Sequence, residues 1–175
     1  FFIDWLIDDE RLGLVIKNKE SSILEEPTSK AKVTDGLFNA ALETGRFIVL
    51  DPVLSPADAS AAGDFVVGIG SPSALLVAAF QGAKALYLDM EKIYEEEIVS
   101  FSPVHQLGTN RCVFYSYQEL RDAVCSHFYF GKHEKLGNIS QILDQYDPFR
   151  DGNAGLRIGQ FMDSYLGGLR AGLST

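Results

Sequence analysis

Short apolar segments alternate along the chain with longer segments whose apolar residues recur at helical spacing. Each short segment is four or five residues long and mostly apolar, which is typical of strands buried on both faces. We predict strands at 12–16, 46–50, 65–69, 85–88 and 112–115. Helices are predicted over 36–43, after Ser55-Pro56, over 74–80, over 117–128, over 140–146 and near the C-terminus.

The stretch from Asp64 to Asp89 shows this alternation of strand and helix most clearly, and the prediction of function starts from it. Phe65–Ile69 predicts a buried strand, Gly70 ends it, Ser71 can cap a helix, and Pro72 fits the first helical position before the hydroxyl of Ser73. The helix 74–80 is apolar on all sides, so deep packing is expected. A second strand, 85–88, then ends at Asp89. Such a strand, turn, helix and strand offers an anion site where the helix begins.

Residues of this turn and helix carry a resemblance to a known family. Their positions are Gly70, Ser71, Ser73, Leu76, Ala78 and Gly82. They resemble the donor-binding segment in the C-terminal, nucleotide-binding domain of GT-B glycosyltransferases, in particular bacterial polysaccharide-biosynthesis and CDP-glycerol-transferase-like members. The resemblance implies that Gly70, Ser71, Pro72 and Ser73 bind the donor diphosphate. Val77 stands where many such proteins have a glutamate that binds the donor ribose.

Two further stretches extend the resemblance. Lys17 and Lys19 follow the first strand, where related transferases place a basic pair near the donor diphosphate; a solvated turn is the alternative. The run 147–158 resembles the "D-x-F-x-D-G-x-A-x-x-R-I" ending of the same group. Asp89, Asp151 and Arg157 are the remaining candidates, expected to support the site or to fasten a helix. For Asp151 and Arg157 an ion pair or cap on the terminal helix is favoured over direct chemistry.

The alternation of strands and helices, together with the resemblance, predicts the fold class. We expect α/β architecture: a Rossmann-like three-layer α/β/α sandwich with a mainly parallel sheet of five to six strands, formed by residues 1–175 as a single domain. The chain begins Phe1-Phe2-Ile3 without a methionine, which suggests a piece of a longer protein. A missing N-terminal domain is therefore the expected partner, and the resemblance implies that it supplies the catalytic base.

Composition narrows the classes of partner. The 175 residues carry a net charge of −9, which argues against nucleic acid, whose phosphates require a basic face. No apolar run is long enough to span a bilayer, and no signal peptide is recognised, so we expect a cytoplasmic protein, with a peripheral position on the inner membrane face as the alternative. Cys112 and Cys125 have no metal-ligand spacing, and buried thiols are favoured over a disulfide.

Three functions remain open from the sequence. The leading one is an enzyme half that binds the nucleotide-diphosphate part of an activated sugar or polyol phosphate in surface-polysaccharide biosynthesis. It would need no cofactor and no metal, since the nucleotide-activated donor is the substrate, and the isolated chain would be inactive. The alternative is a non-catalytic Rossmann-like or flavodoxin-like binding or interaction domain, which Val77 favours. A UDP-sugar 2-epimerase-like enzyme is a lesser alternative, because Gly-Ser-Pro-Ser replaces the acidic turn expected there.

Overall fold

The protein is described from a computed structural model over residues 1–17, 31–69, 72–92, 103–108 and 111–172. The chain divides into two compact units, Phe1–Ile139 and Ser140–Thr175. Within these described ranges, no helix combines the length and apolar character needed to cross a membrane.

The first unit alternates helices and strands. Its elements in chain order are α1 (Phe2–Asp8), β1 (Leu14–Lys17), α2 (Ala31–Glu43), β2 (Phe47–Leu50), α3 (Pro56–Ser60), β3 (Phe65–Ile69), α4 (Pro72–Phe80), β4 (Lys84–Leu88), α5 (Pro103–Gln106), β5 (Val113–Phe114) and α6 (Tyr117–Phe130). The five predicted strands lie within two residues of the observed ones at each end. The alternation itself was therefore predicted correctly.

The predicted single sheet of five to six strands is wrong. The described strands form two small parallel sheets, one of β1 and β2 and one of three strands in the order β3-β4-β5. In the smaller sheet Leu14 lies opposite Phe47, and in the larger one Phe65 lies opposite Lys84. Local patterns predict where strands occur but not which edges pair, because pairing joins residues far apart in sequence.

Side-chain packing links the two sheets, with no ladder between β1 and β3 in the described residues. Leu12 packs against both hydrophobic clusters: one around Leu86, Leu88 and Phe114, the other around Leu6 and Phe47. Apolar contact thus takes the place that backbone pairing would have in a continuous sheet. The three-layer, single-sheet prediction fails because no backbone ladder joins these two sheets in the described residues.

Strand β4 is the centre of the three-stranded sheet. It pairs with β3 on one side and β5 on the other, and residues 85–88 are all buried. Its neighbours in the core come from α1 and α6, among them Trp5, Leu120 and Val124. A strand buried along its whole length needs a continuous apolar sequence, and Ala-Leu-Tyr-Leu supplies one.

Helix α4 packs on β3 through a residue without a side chain. A Cβ atom placed on Gly68 would lie 2.7 Å from Cγ and 2.8 Å from Cδ1 of Leu75, which is itself buried. The outer face of α4 is more open than its all-apolar sequence predicts, since Val77 and Phe80 are each 40% exposed. The expectation of deep packing on all sides is therefore wrong; one face is buried and the other is not.

Helix α1 is fixed by Arg46, which directly precedes β2. One guanidinium nitrogen of Arg46 donates to the carbonyl oxygens of Asp9 and Leu12, and the other donates to Leu6 at 3.0 Å. These carbonyls include ones at the C-terminal end of α1, where backbone acceptors lack partners within the helix and a cation is favourable. One side chain therefore joins the first helix to the smaller sheet.

Several helix ends follow their sequence signals. Ser55 caps α3 by accepting a hydrogen bond from the Asp58 amide at 3.1 Å, and Pro56 takes the first helical position, as predicted. Ser116 caps α6 in the same way, and Gly131 ends that helix with a φ of 63°, a conformation that favours glycine. Both cysteines are free thiols, and burial raises the pKa of Cys112 to about 11.

The second unit contains two helices, α7 (Ser140–Tyr146) and α8 (Ala154–Arg170). The turn between them is built on aspartates: Asp147 accepts from the amides of Phe149 and Arg150, and Asp151 accepts from the amide of Asn153. The predicted apolar stripe of α8 is exposed in the structure, each side chain by 44–68%. Its members are Ile158, Phe161, Met162, Tyr165, Leu166 and Leu169.

We expect Arg46→Met to destabilise the first unit by about 2 kcal/mol, because hydrogen bonds from a charged group to partly buried carbonyls are lost. Urea unfolding followed by the fluorescence of Trp5, the single tryptophan, measures this. Arg170→Met, at an exposed arginine that ends α8, is the control and should leave the midpoint unchanged. Equal midpoints for Arg46→Met and wild type would contradict the role of Arg46.

We expect Gly68→Ala to cost about 1–3 kcal/mol, because the added methyl group would overlap the trapped side chain of Leu75. The same urea titration reports it. Gly155→Ala is the matched control, since a Cβ there meets nothing within 4 Å. If both variants unfold at the same urea concentration as wild type, close packing of α4 on β3 is not what Gly68 provides.

Candidate functional site

The candidate site is the carboxyl edge of the three-stranded sheet. Because β3, β4 and β5 are parallel, their last residues Ile69, Leu88 and Phe114 lie at the same edge. In open parallel sheets ligands bind beyond this edge. The side chains that follow the strands there are the ones to consider.

The predicted phosphate-binding turn is only partly described. Gly70 and Ser71 lie outside the described residues, and the helix cap predicted at Ser71 therefore stays a prediction. Helix α4 begins at Pro72, as predicted, and Ser73 in its first turn is exposed. The beginning of a nine-residue helix thus lies at the carboxyl edge of β3, with one hydroxyl on its surface.

Asp89 follows β4 directly and is held at the edge by the backbone. Its amide donates to the Phe114 carbonyl at 2.8 Å, which continues the ladder between β4 and β5 by one residue. Its carbonyl accepts from the Lys92 amide at 3.2 Å, which starts a turn. The residue is only 4% exposed, although an acid is costly to bury without polar neighbours.

His105, on the short helix α5, faces Asp89. Its Nε2 lies 3.7 Å from Oδ2 of Asp89, and its ring meets the ring of Tyr87 edge-on at 5.2 Å between centroids. His105 is 7% exposed. Burial lowers its pKa below the ordinary value, more than the neighbouring Asp89 raises it. The imidazole is therefore neutral at pH 7.

The pair of Asp89 and His105 has defined chemical abilities. A separation of 3.7 Å is within ion-pair range but too long for a direct hydrogen bond. The carboxylate offers two acceptor atoms and the neutral imidazole one donor and one acceptor. Such a pair can bind hydroxyl groups or hold a proton.

Lys17, the basic candidate that the structure describes, belongs to the other sheet. Lys17 is the last residue of β1, and its ammonium group donates to the Pro52 carbonyl, just after β2, at 3.3 Å. Lys17 therefore lies at the carboxyl edge of the β1–β2 sheet, where the sequence placed it. Lys19 lies outside the described residues.

Asp151 and Arg157 form an ion pair within the second unit. Nη1 of Arg157 donates to both carboxylate oxygens of Asp151, at 3.0 and 2.8 Å, and its guanidinium lies 4.1 Å from the Phe149 ring centroid. This arrangement lowers the pKa of Asp151 to about 2. The contacts join the turn to the first part of α8, which fits the helix-fastening interpretation of these two residues.

His127 is held in structural contacts. The Lys84 ammonium donates to its Nε2 at 2.9 Å, so the proton of the neutral ring is on Nδ1, which faces the carbonyls of Lys132 and His133. Its ring also meets Phe65 edge-on. These contacts tie α6 to the first residue of β4.

A cleft of about 430 Å³ lies at the opposite edge of the sheet from Asp89. It is lined by residues of α3, residues at the end of α4 and residues that precede β3 and β4, including Asp58, Gly63, Gln81 and Ala83. No group of three or more metal-ligating side chains occurs in the parts of the chain that the structure describes.

Sequence reasoning named Asp89 only as a supporting residue and did not assign His105 a role. The two are 16 residues apart, and no spacing rule connects an acid after one strand to a histidine in a long connection. The one available signal was the position of Asp89 after a buried strand of a parallel sheet.

Comparison with known proteins adds no family to this description. No family model, curated protein or solved structure matches the chain.

Burial of neutral His105 predicts a pH dependence of stability. The unfolded chain binds a proton at His105 near pH 6.5, whereas the folded pKa is lower, so stability from this group is present above pH 6.5 and is lost as the pH falls. The loss is at most about 1.4 kcal/mol per pH unit for one proton. Urea titrations at pH 7.5 and 5.5 should show it.

His105→Gln should remove that part of the pH dependence, while His133→Asn, at an exposed histidine, controls for the loss of an imidazole. A wild-type pH dependence retained in His105→Gln would show that His105 is not the group responsible.

Proposed function

We propose that this chain binds the diphosphate part of a nucleotide-activated sugar or polyol phosphate at the carboxyl edge of the β3–β4–β5 sheet. In this proposal it is the donor-binding half of a glycosyltransferase of surface-polysaccharide biosynthesis. The transferase class rests on the resemblance of the glycine-serine turn and of the C-terminal run. The binding site rests on the strand, helix and strand unit described above.

The observation that carries the proposal is the β3–α4–β4 unit. Two parallel neighbouring strands are joined by a helix that begins at the carboxyl edge and packs closely on β3 through Gly68. A helix beginning presents backbone N–H groups and a partial positive charge, which favours a phosphate group even in a protein of net charge −9. Exposed Ser73 adds a hydroxyl donor in the first turn.

The same features suggest how the chain would assist transfer. Negative charge develops on the departing diphosphate, and fixed dipoles and cations near it lower the barrier. Lys17 and Lys19 are the proposed cations. The acceptor site and the catalytic base would come from a partner domain, so the chain is proposed to bind the donor without catalysing transfer by itself.

A second candidate function, that of an interaction domain, has its own support. The apolar stripe of α8 is half exposed along three turns, and contiguous exposed apolar surface is typical of binding faces. Val77, in place of the ribose-binding glutamate of the resembling family, favours the same candidate.

Titration with UDP, CDP, GDP and their sugar conjugates tests the proposal. We expect one nucleotide to raise the melting temperature in a saturable manner, since a ligand that binds only the folded state stabilises it. Ser73→Trp, which fills the space before α4, and Lys17→Ala with Lys19→Ala should each weaken this effect at least tenfold.

Ser164→Trp, at an exposed serine of α8, is the matched control and should bind as wild type does. No stabilisation by any of these nucleotides at millimolar concentration would reject the donor-binding proposal and leave the interaction domain.

A further inference from the structure

Helix α8 has few interactions that stabilise it within its own unit. Each of its 17 residues is at least partly exposed, and the side chain of Asn153, which precedes it, makes no capping hydrogen bond in the described part of the chain. The helix also contains four glycines, a residue that disfavours the helical state. Because most helical stability in proteins comes from packing of an apolar face, we expect the stripe of α8 to be buried against a further surface.

The stripe is large enough to form a stable contact with a second copy of itself. Its six side chains are each exposed by 44–68% and together present roughly 700 Å² to solvent. Two copies that cover each other's stripe would bury about 1,400 Å², and specific protein interfaces bury about 1,200–2,000 Å². A pair of chains therefore reaches this size with the stripe alone.

The stripe is also symmetric about its midpoint, which falls between Asp163 and Ser164. Its members at equal distance from the midpoint form three pairs: Ile158 with Leu169, Phe161 with Leu166, and Met162 with Tyr165. A two-fold axis places a surface patch on the same patch of a second copy, so such a contact must be self-complementary. Two α8 helices that lie antiparallel about an axis at this midpoint bring apolar side chains onto apolar side chains throughout.

Aromatic side chains lie at the centre of this contact. The rings of Phe161 and Tyr165 stack at 6.2 Å between centroids, with 18° between their planes. Both residues are within three positions of the midpoint. Large aromatic side chains near the centre of an interface typically contribute most of its binding energy.

Charge favours a second copy over an anionic lipid surface. The second unit has three arginines and four aspartates, so it carries only one of the nine net negative charges, and two such units repel each other little. An anionic membrane attracts basic segments, and helices that lie on it are rich in lysine and arginine on the polar face. Helix α8 has two arginines, of which Arg157 is paired with Asp151.

We propose that α8 joins two copies of this chain through an antiparallel contact of its apolar stripe. The contact uses no residue of the β3–α4–β4 unit, so it does not depend on nucleotide binding by that unit. The occupant of the exposed stripe is then the same stripe of a second copy.

Sedimentation velocity of the whole chain tests this interface. Over a hundredfold range of concentration up to about 100 μM, we expect the mass to rise towards twice that of one chain, as mass action requires. The double variant Ile158→Gln with Phe161→Gln should weaken self-association at least tenfold. Both side chains are 65–68% exposed, so the substitutions leave the fold of the single chain intact.

Leu156→Gln is the matched control for the double variant. Leu156 is an apolar residue of the same helix and is 61% exposed, but the 100° turn per residue places it outside the stripe. This variant should self-associate as wild type does.

Cross-linking tests the antiparallel arrangement. Ile158 and Leu169 are about 16 Å apart along the helix, but an antiparallel pair brings each next to the other on the second copy. A mixture of Ile158→Cys and Leu169→Cys chains should form an intermolecular disulfide on mild oxidation, and either variant alone should form far less. The native Cys112 and Cys125, present in every sample, give the background.

Three results would overturn the proposal. One is a single chain at every concentration, and another is self-association that the double variant leaves unchanged. The third is binding of the single chain to phosphatidylglycerol vesicles that the double variant abolishes, since the stripe would then face lipid. Nucleotide titration is a separate measurement, so the donor-binding proposal and the dimer can each fail without the other.

Discussion

The structure depends on the burial of β4 between two parallel neighbours. Its backbone pairs on both sides, residues 85–88 are all buried, and Leu86 and Leu88 lie in the core shared with α1 and α6. A parallel strand must be covered on both faces, since its sequence leaves no polar side for water. The position of β4 fixes the position of Asp89 at its end, 3.7 Å from His105. The proposed chemistry therefore follows from how one apolar strand is packed.

Two other contacts keep the surrounding elements in place. Gly68 lets α4 approach β3, which sets where that helix begins relative to the carboxyl edge. Arg46 joins the end of α1 to β2, so that Trp5 remains in the core beside Leu86 and Leu88. Each contact orients an element that the central strand alone could not orient. Neither contributes an atom to the proposed site.

Sequence patterns predicted the elements better than their assembly. The apolar run Phe65–Ile69, which a glycine follows, is strong evidence for a strand. Ser55-Pro56 marks the start of a helix because the capping hydrogen bond, from the Asp58 amide to the Ser55 side chain, lies within four residues. The division into two sheets and the packing of Leu12 against both clusters join residues far apart in sequence, which no local pattern encodes. The open face of α4 was missed because hydrophobicity alone does not say whether another element covers Val77 and Phe80.

The candidate site was predicted in a similar way. The positions of Ser73, at the beginning of a helix, and of Lys17, at the end of a strand, could be predicted because neighbouring residues mark these ends. The contact of Asp89 with His105 was not predicted, because it joins two segments whose only relation is the fold. Its burial, its short separation and its position at the sheet edge identify that pair as part of the candidate site. The transferase class remains a proposal that rests on the resemblance, and the geometry identifies residues with which to test it.

Mapping of ligand contacts by amide chemical shifts tests the central claim most directly. On addition of the nucleotide that stabilises the chain, the account predicts the largest shifts at Ser73, Asp89 and His105, at the carboxyl edge. Shifts concentrated instead around Asp58, Gln81 and Ala83, which line the cleft at the opposite edge, would contradict it.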